Sequence, residues 1–297
     1  MKLLYRFNLI FLVVFGLGMI PTGWLSYEFL RSEARDQVIE QSRLMMQAAT
    51  ATRSYTETQI KPLLETRTEL WKKFLPQTVP AYSATEVFDG VHKAYADYSY
   101  KEATLNPTNL RDRASDWEAD VVNTFRGHPE QKEVIGERLT PLGLSLFFAR
   151  PIRITDPACL ECHSVPAKAP ASMVRQYGPD NGFGWLPNEV VGAQIISVPD
   201  SLPAKIADRG AKKLVAILGC VALATLIVLD LALYFSVLRP VARLSAIADE
   251  ISSGNFDVQE LPVRGRDEIS VLAASFNRMY RSLVRAMEML NRSEPEP

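Results

Sequence analysis

Two long apolar runs dominate the pattern of hydrophobic and polar positions along the chain. Residues 7–27 contain no charged residue, and residues 214–238 contain only one, Asp230. Each run is long enough for a helix to cross the hydrocarbon core of a bilayer. The first run is longer than the apolar core of a usual signal peptide and lacks a convincing cleavage site, so we interpret it as an uncleaved anchor. The pattern predicts two transmembrane helices.

Basic residues beside the two runs predict how the chain is oriented. Lys2 and Arg6 precede the first run, and Arg239 and Arg243 follow the second. Lys and Arg are enriched in cytoplasmic flanks of membrane helices. We therefore expect both termini in the cytoplasm and residues 28–213 on the outer side of the membrane.

The stretch after the first apolar run has the spacing of a long helix. Residues 28–60 contain neither Pro nor Gly and carry apolar side chains at helical intervals. This predicts a helix that continues out of the membrane until Pro62 ends or kinks it. A second helical segment is predicted for residues 63–74.

The rest of the segment 28–213 mixes helical and strand patterns, which predicts an α+β domain. The predicted helices are 85–95 and 110–125, and the predicted strands are 98–103, 144–154 and 190–198. Residues 164–187 contain four Pro, three Gly and three aromatic residues. Loops of this length inside compact domains are usually functional.

Residues 239–291 carry two helical patterns joined by a short connector. Leu244, Ile247 and Ile251 form the apolar stripe of a first helix that Gly254 ends, and Asp267 opens a second helix. The second helix has apolar residues at alternating gaps of three and four, which predicts the seam of a coiled coil. Its seam residues are Ile269, Leu272, Phe276, Met279, Leu283, Ala286 and Leu290, and the connector anchors are Phe256, Val258 and Leu261. Residues 292–297 are predicted to form a disordered tail.

Composition and charge narrow the functional classes. The 297 residues carry a net charge of −1, without a basic excess or a long run of like charge. Nucleic acid is therefore not an expected partner. The length allows two domains in addition to the membrane segments.

The sequence Cys159-Leu160-Glu161-Cys162-His163 carries the clearest chemistry in the chain. This order of residues is typical of c-type haem attachment, in which Cys159 and Cys162 bind one porphyrin and His163 binds its iron. A zinc site would require two further ligands at a matching spacing. The remaining cysteine, Cys220, lies in the second apolar run. We therefore predict one covalent haem c on the outer side of a bacterial inner membrane.

The second axial ligand of the iron is less well defined by the sequence. Met173 lies ten residues after His163 and is the leading choice. His92 and His128 are the other imidazoles, and each is more typical of a structural histidine. Met45 and Met46 on the long helix are alternatives, although helical methionines usually pack in a core. A site open to water or gas is also compatible with the sequence.

Residues 28 to about 207 resemble the Tll0287-like family of haem domains. The stretches that carry the resemblance are Val79-Pro80-Ala81, Leu105 to Asn109, Asp116-Trp117-Glu118, Cys159 to His163, Asn181 to Trp185, Gly192-Ala193-Gln194 and Val198-Pro199. The resemblance implies a PAS-like extracytoplasmic domain with an antiparallel sheet, flanking helices and one covalent haem. Some members of the family use a Cys thiolate as second ligand, but apart from Cys159 and Cys162 this sequence has no Cys outside the predicted membrane helices.

Residues 239–291 resemble a HAMP domain, placed directly after the second apolar run. This resemblance implies a parallel four-helix bundle formed by two chains, and therefore a homodimer. The predicted organisation is a membrane helix in residues 1–27, a haem domain in 28–213, a second membrane helix in 214–238, HAMP in 239–291 and the tail.

This order of parts favours a haem-based redox or gas sensor over two other classes of protein. The sensor would transmit the haem state through the second membrane helix to HAMP and a separate cytoplasmic signalling partner. The alternative is a membrane-bound electron-transfer cytochrome with a periplasmic redox partner, in which HAMP only dimerises the chain. A haem enzyme is the least favoured class, because the sequence has no recognisable distal acid–base pair, and we expect no enzymatic activity.

Overall fold

The computed structural model describes residues 2–65, 73–140, 143–263 and 265–293. The chain divides into two compact units. One unit is Leu25–Ala211, and the other combines Met1–Trp24 with Lys212–Pro297.

The N-terminal part of the chain is a helix, α1 (Lys2–Tyr55), of 54 residues. One π-helical turn, Thr56–Ile60, follows it and leads into α2 (Lys61–Glu65). Pro62 lacks an N–H and would clash with a carbonyl one turn earlier in a regular α-helix, so the widened turn accommodates it. The predicted interruption is therefore a π-turn before Pro62. Of the helical segment predicted for 63–74, residues 66–72 lie outside the described residues.

Four antiparallel strands form the sheet of the unit Leu25–Ala211, in the order β1-β4-β3-β2. The strands are β1 (Ser99–Thr104), β2 (Val134–Thr140), β3 (Gly143–Arg153) and β4 (Val190–Pro199). The helices of the same region are α3 (Pro80–Ala94), α4 (Asp116–Gly127), α5 (Cys159–His163) and α6 (Ala171–Tyr177). Mixed α and β structure with a long N-terminal helix and an antiparallel sheet is as predicted.

Each face of the sheet packs against a different helix. Residues of α4 contact one face, in a core of Val121, Val122, Phe125, Phe147, Ala149, Ala193 and Ile195 with Ala103 and Val190. Residues of α1 contact the other face, in a core of Val38, Met46, Leu146, Phe148, Ile196 and Val198. The alternation of side chains along β3 and β4 explains why the two strands supply both cores.

Several element boundaries differ from the prediction. The helix predicted for 110–125 begins at Asp116, because the side chain of Ser115 caps it and Glu118 bonds back to the Ser115 N–H at 2.7 Å. The helix predicted from residue 85 begins at Pro80, which is favourable at a first helical position. Strand β2 was not predicted, because its polar and apolar residues give no clear period. The predicted loop 164–187 contains α6.

The unit formed by Met1–Trp24 and Lys212–Pro297 contains most of the first apolar run, the second apolar run and the region that resembles HAMP. Helix α7 (Ser201–Leu233) enters it and continues through a π-turn, Tyr234–Leu238, into α8 (Arg239–Ser252). The helical segments Leu4–Leu64 and Ser201–Ser252 are each long and apolar enough to cross a membrane.

The C-terminal region has the helix–connector–helix order that the sequence predicts. Gly254, at φ +89°, ends α8, and α9 (Glu268–Ser293) follows the connector. Asn277 of α9 holds the connector by donating to the Leu261 carbonyl at 2.8 Å and accepting from its N–H at 3.0 Å. Helix α9 extends to Ser293, two residues into the predicted tail, and residues 294–297 lie outside the described part of the chain.

Candidate functional site

The two motif cysteines and His163 lie on the single short helix α5. Asp156 begins the turn before this helix by accepting a hydrogen bond from the Ala158 N–H at 2.8 Å. Residues three apart in a helix share a face, which brings Cys159 and Cys162 to the same side. Both thiols are half-buried, and burial, followed by the nearby Asp156 carboxylate, raises the pKa of Cys159.

The imidazole of His163 is fixed by one hydrogen bond and one ring contact. Its Nδ1 lies 2.7 Å from the carbonyl oxygen of Gly182, and its ring stacks on Trp185 at 3.9 Å between centroids with an angle of 14°. Because a carbonyl oxygen only accepts, Nδ1 carries the proton and Nε2 keeps its lone pair. Burial lowers the pKa of His163, and the bond to Gly182 offsets this only in part. The neutral ring is the form that binds a metal.

The segment 181–185 folds back onto α5 and forms the support of His163. The Gly184 N–H donates to the Ser164 carbonyl at 2.8 Å, and the Trp185 N–H donates to the His163 carbonyl at 3.2 Å. Asn106 also holds this segment, since its Oδ1 accepts from the Gly182 N–H at 3.2 Å. The structure thus brings together three of the sequence motifs, which are far apart along the chain.

A cavity of about 550 Å³ lies beside α5 and is lined by Cys159, Cys162 and His163. This volume is within the range of about 300–1,000 Å³ that is typical of small-molecule and cofactor sites. The end of α1, the π-turn and α2 contribute Arg53, Glu57 and Lys61 to its wall. Its other charged lining residues are Lys73, Glu102, Arg111, Asp112, Arg153, Glu161 and Lys168.

An ion pair between the half-buried Arg53 and the buried Glu102 joins α1 to the sheet at the wall of this cavity. Arg53 donates to Glu102, whose side chain is 3% exposed. Tyr100 donates to the same carboxylate at 2.8 Å and accepts from Gln194 at 2.8 Å. Burial alone would lower the pKa of Arg53, but the Glu102 carboxylate more than compensates and raises it, and burial raises the pKa of Tyr100. The network is therefore a charged Arg–Glu pair with a neutral phenol.

Asp112 is a second carboxyl group of the cavity wall, and it is half-buried. Its burial raises the pKa to about 6, against the opposing effect of the nearby Arg111 guanidinium at 3.6 Å. Glu102 adds to the rise, and Lys101 opposes it. This carboxyl group is thus poised to change its charge near neutral pH.

The structure separates the residues that were predicted as second ligands. Met173 is 3% exposed on α6 and lines the cavity with His163. His92 and His128 bond through Nδ1 to the carbonyls of Tyr98 and Thr124, and neither lines the cavity. Met46 is buried in the core between α1 and the sheet, and Met45 packs against that core.

The sequence did not identify Arg53, Glu102 or Asp112 as residues of the site. A Glu at a buried position of a strand and an Arg in a long amphipathic helix are each too common to indicate a site. Arg153 also lines the cavity, and its two terminal nitrogens donate to the carbonyls of Asn188 and Pro129, at 3.0 and 2.9 Å. Asn106 and Thr108 lay in a stretch that resembled the family, without an assigned role.

Comparison with protein-family models gives two matches. Residues 31–199, more than half of the chain, match the Tll0287-like family, whose model is described as Tll0287. The chain belongs to the Tll0287-like family. Residues 232–285 match the HAMP domain. The Tll0287-like match includes α5, the segment 181–185 and Asn106.

Comparison with individual proteins adds one solved structure. The crystal structure of the cyanobacterial heme-protein Tll0287 aligns with 55% of this chain and 95% of its own, with 14% sequence identity and a TM-score of 0.43. No curated protein matches this Tll0287-like chain.

Proposed function

We propose that the chain binds a single haem c covalently and senses the redox or gas-ligand state of its iron. In this proposal Cys159 and Cys162 form the thioether bonds and His163 Nε2 is an axial ligand. The observation that carries it is the hydrogen bond of 2.7 Å from His163 Nδ1 to Gly182. It leaves Nε2 with its lone pair on the same short helix as two half-buried thiols, and such bonds are typical of metal-binding histidines.

The residues around α5 suit a haem. The cavity volume of about 550 Å³, its lining by both apolar and charged residues and the Tll0287-like family support this fit. Bound haem would supply an iron that changes its oxidation state or its ligand. We propose Met173 as the second axial ligand, because it is buried and is the methionine that lines the cavity among the described residues.

The proposed signal leaves the cavity through the helices that line it. Arg53 on α1 is paired with Glu102 on β1, so a change of charge or ligand inside the cavity acts on the helix that contains the first apolar run. Strand β4 ends at Pro199, and α7 begins at Ser201, so the sheet connects directly to the second apolar helix. We propose that these helices pass the change to HAMP, whose bundle has two alternative packings.

We place the haem domain, which we regard as PAS-like, on the periplasmic side of a bacterial inner membrane with both termini in the cytoplasm. The charge bias beside the apolar runs supports this orientation. HAMP makes the chain a homodimer in this proposal, and a separate cytoplasmic protein receives the signal. The chain is then a sensor without enzymatic activity.

Cysteine cross-linking across the proposed dimer seam tests the sensor function. Leu272→Cys and Met279→Cys place thiols on α9, at side chains that are 47% and 50% exposed in the single chain. Both are made in a Cys220→Ala background, with the off-seam Arg278→Cys as control. We expect the rate of disulfide formation at 272 and 279 to differ between reduced and oxidised haem, or on binding of carbon monoxide or nitric oxide. Equal rates in all haem states would contradict the sensor and favour an electron carrier.

A further inference from the structure

We infer that Asn106 is the positioning residue of His163: it holds the carbonyl that selects the tautomer and orientation of the imidazole. The inference rests on the proposed function in so far as His163 binds iron. It adds a residue 57 positions before His163 to the two cysteines and the histidine of the motif.

The side-chain amide of Asn106 makes hydrogen bonds to the backbone on both sides of the Gly182 carbonyl, which is the acceptor for His163. Its Oδ1 accepts from the Gly182 N–H at 3.2 Å, and its Nδ2 donates to the Phe183 carbonyl at 3.2 Å. The Gly182 carbonyl lies between these two contacts along the chain. A primary amide suits this role because it offers one acceptor and two donors, in the geometry of a peptide group.

Gly182 has a backbone conformation that favours glycine, at a point where there is no room for a side chain. Its φ is +82°, and a Cβ atom there would lie 2.0 Å from Thr108 Oγ1 and 2.8 Å from Thr108 Cα. The left-handed region is open to glycine at little cost, but glycine has many alternatives. The two bonds to Asn106 therefore select one of them and aim the carbonyl at Nδ1.

Among the described residues, Thr108 provides a second oxygen near His163 Nδ1, and its geometry is poorer than that of the Gly182 carbonyl. Its Oγ1 lies 3.4 Å from Nδ1, against 2.7 Å for the Gly182 carbonyl. Hydrogen bonds between nitrogen and oxygen are usually 2.7–3.2 Å long, so the carbonyl is the dominant partner. Thr108→Val removes this hydroxyl with little change of shape, which makes it the matched control.

The consequence for a bound metal follows from the chemistry of imidazole. A hydrogen bond from Nδ1–H raises the basicity of Nε2 and fixes the ring, and partners of this kind typically change metal affinity by roughly 10- to 100-fold. A more basic axial nitrogen stabilises oxidised iron more than reduced iron. Loss of Asn106 should therefore raise the midpoint potential of the haem iron and weaken the stacking of the His163 ring on Trp185.

Two measurements on the full-length chain test the inference. In the haem-free chain with ¹⁵N-labelled histidine, we expect the Nδ1–H tautomer of His163 in the wild type and in Thr108→Val, and its loss in Asn106→Ala. In the haem-loaded chain, we expect a higher midpoint potential for Asn106→Ala and little change for Thr108→Val. Should Asn106→Ala fail to fold, Asn106→Asp keeps the acceptor for Gly182, and we expect an intermediate tautomer population.

The outcomes separate the inference from the proposed function. An Asn106→Ala chain with the wild-type tautomer and potential, or a Thr108→Val chain that changes as much as Asn106→Ala, would overturn the role of Asn106. A wild-type chain that carries no haem would contradict the proposed function, while the tautomer measurement would still decide the role of Asn106.

Discussion

Asn8 and Asp230 are joined by a hydrogen bond of 3.1 Å, from the amide nitrogen Nδ2 to the carboxylate oxygen Oδ2. Asn8 lies in the first apolar run and Asp230 in the second. The oxygen Oδ1 of Asn8 and the second carboxylate oxygen of Asp230, Oδ1, are buried without a hydrogen-bond partner among the described residues. Polar side chains between membrane helices contribute modestly but specifically to helix association. The single charge of the second run is therefore part of a contact between the two apolar helices.

Two substitutions of Asp230 should change the stability of this contact in opposite directions. In Asp230→Asn the new N–H can donate to Asn8 Oδ1 and complete the pair, whereas Asp230→Leu removes the bond. We expect Asp230→Asn to raise and Asp230→Leu to lower the stability of the helix pair, each by about 1 kcal/mol. Thermal unfolding in detergent micelles measures this, with Thr225→Val as the control for loss of a polar group from the same helix. Changes of the same sign for both variants at 230 would contradict the account.

Asp112 should make stability depend on pH. Its pKa is raised from 3.8 to about 6, so the folded chain holds this proton more tightly than the unfolded chain. The contribution of the protonated Asp112 carboxyl to the free energy of unfolding is fully present below pH 3.8 and is lost as the pH rises through 6. We expect Asp112→Asn to match the wild type near pH 4 and to be more stable by about 1–3 kcal/mol at pH 7.5.

Denaturant unfolding at the two pH values measures the effect of Asp112. Glu86→Gln is the matched control, because it removes the other carboxylate beside Arg111 from an exposed position. An Asp112→Asn variant with the same pH dependence as the wild type would show that this carboxyl is not the cause.

Removing only one partner of the Arg53–Glu102 ion pair should strongly lower the free energy of unfolding. Glu102 is 3% exposed, so Arg53→Leu leaves a buried carboxylate without its cation. We expect a loss of about 3–5 kcal/mol in the free energy of unfolding, and a smaller loss in the double variant Arg53→Leu/Glu102→Leu. The exposed pair Arg35–Glu137 is the control, for which Arg35→Leu should cost under about 1 kcal/mol. A double variant that is less stable than Arg53→Leu would count against this account.

Two glycines of one segment should differ in their tolerance of alanine. Gly182 and Gly184 have φ values of +82° and +81°, but a Cβ meets Thr108 only at Gly182 and open space at Gly184. We expect Gly184→Ala to cost about 1 kcal/mol and Gly182→Ala to cost more and to weaken the hydrogen bond of His163. Unfolding free energies, measured together with haem retention, test this difference. Equal losses of unfolding free energy at the two positions would mean that Thr108 moves aside at little cost, and would contradict this prediction.

The sequence predicted best what depends on one stretch of chain. The apolar runs, the long helix and the helical pattern around Leu272 follow from composition and period alone, so two membrane-length helices and the α8–α9 pair were found. Strand β2 was missed because it forms by pairing with β3, which its own residues do not indicate. The start of α4 depended on the side chain of Ser115.

The same distinction applies to the site. Cys159, Cys162 and His163 lie within five residues, so the sequence alone indicated the motif. Met173 lies ten residues after His163, which made it a candidate ligand. Arg53 and Glu102 are 49 residues apart and meet only because α1 packs against the sheet. Asn106 reaches Gly182 from 76 positions away. Contacts of this kind have no local signature.

Covalent haem attachment is the central claim, and the absorption spectrum of denatured full-length protein in alkaline pyridine tests it most directly. The protein is exported in cells that can attach haem c, purified and extracted with acidic acetone before the spectrum is taken. We predict one haem per chain that resists extraction in the wild type and in Cys220→Ser, and none in Cys159→Ser/Cys162→Ser. A wild-type chain whose haem is fully extracted, or which carries none, would contradict the account.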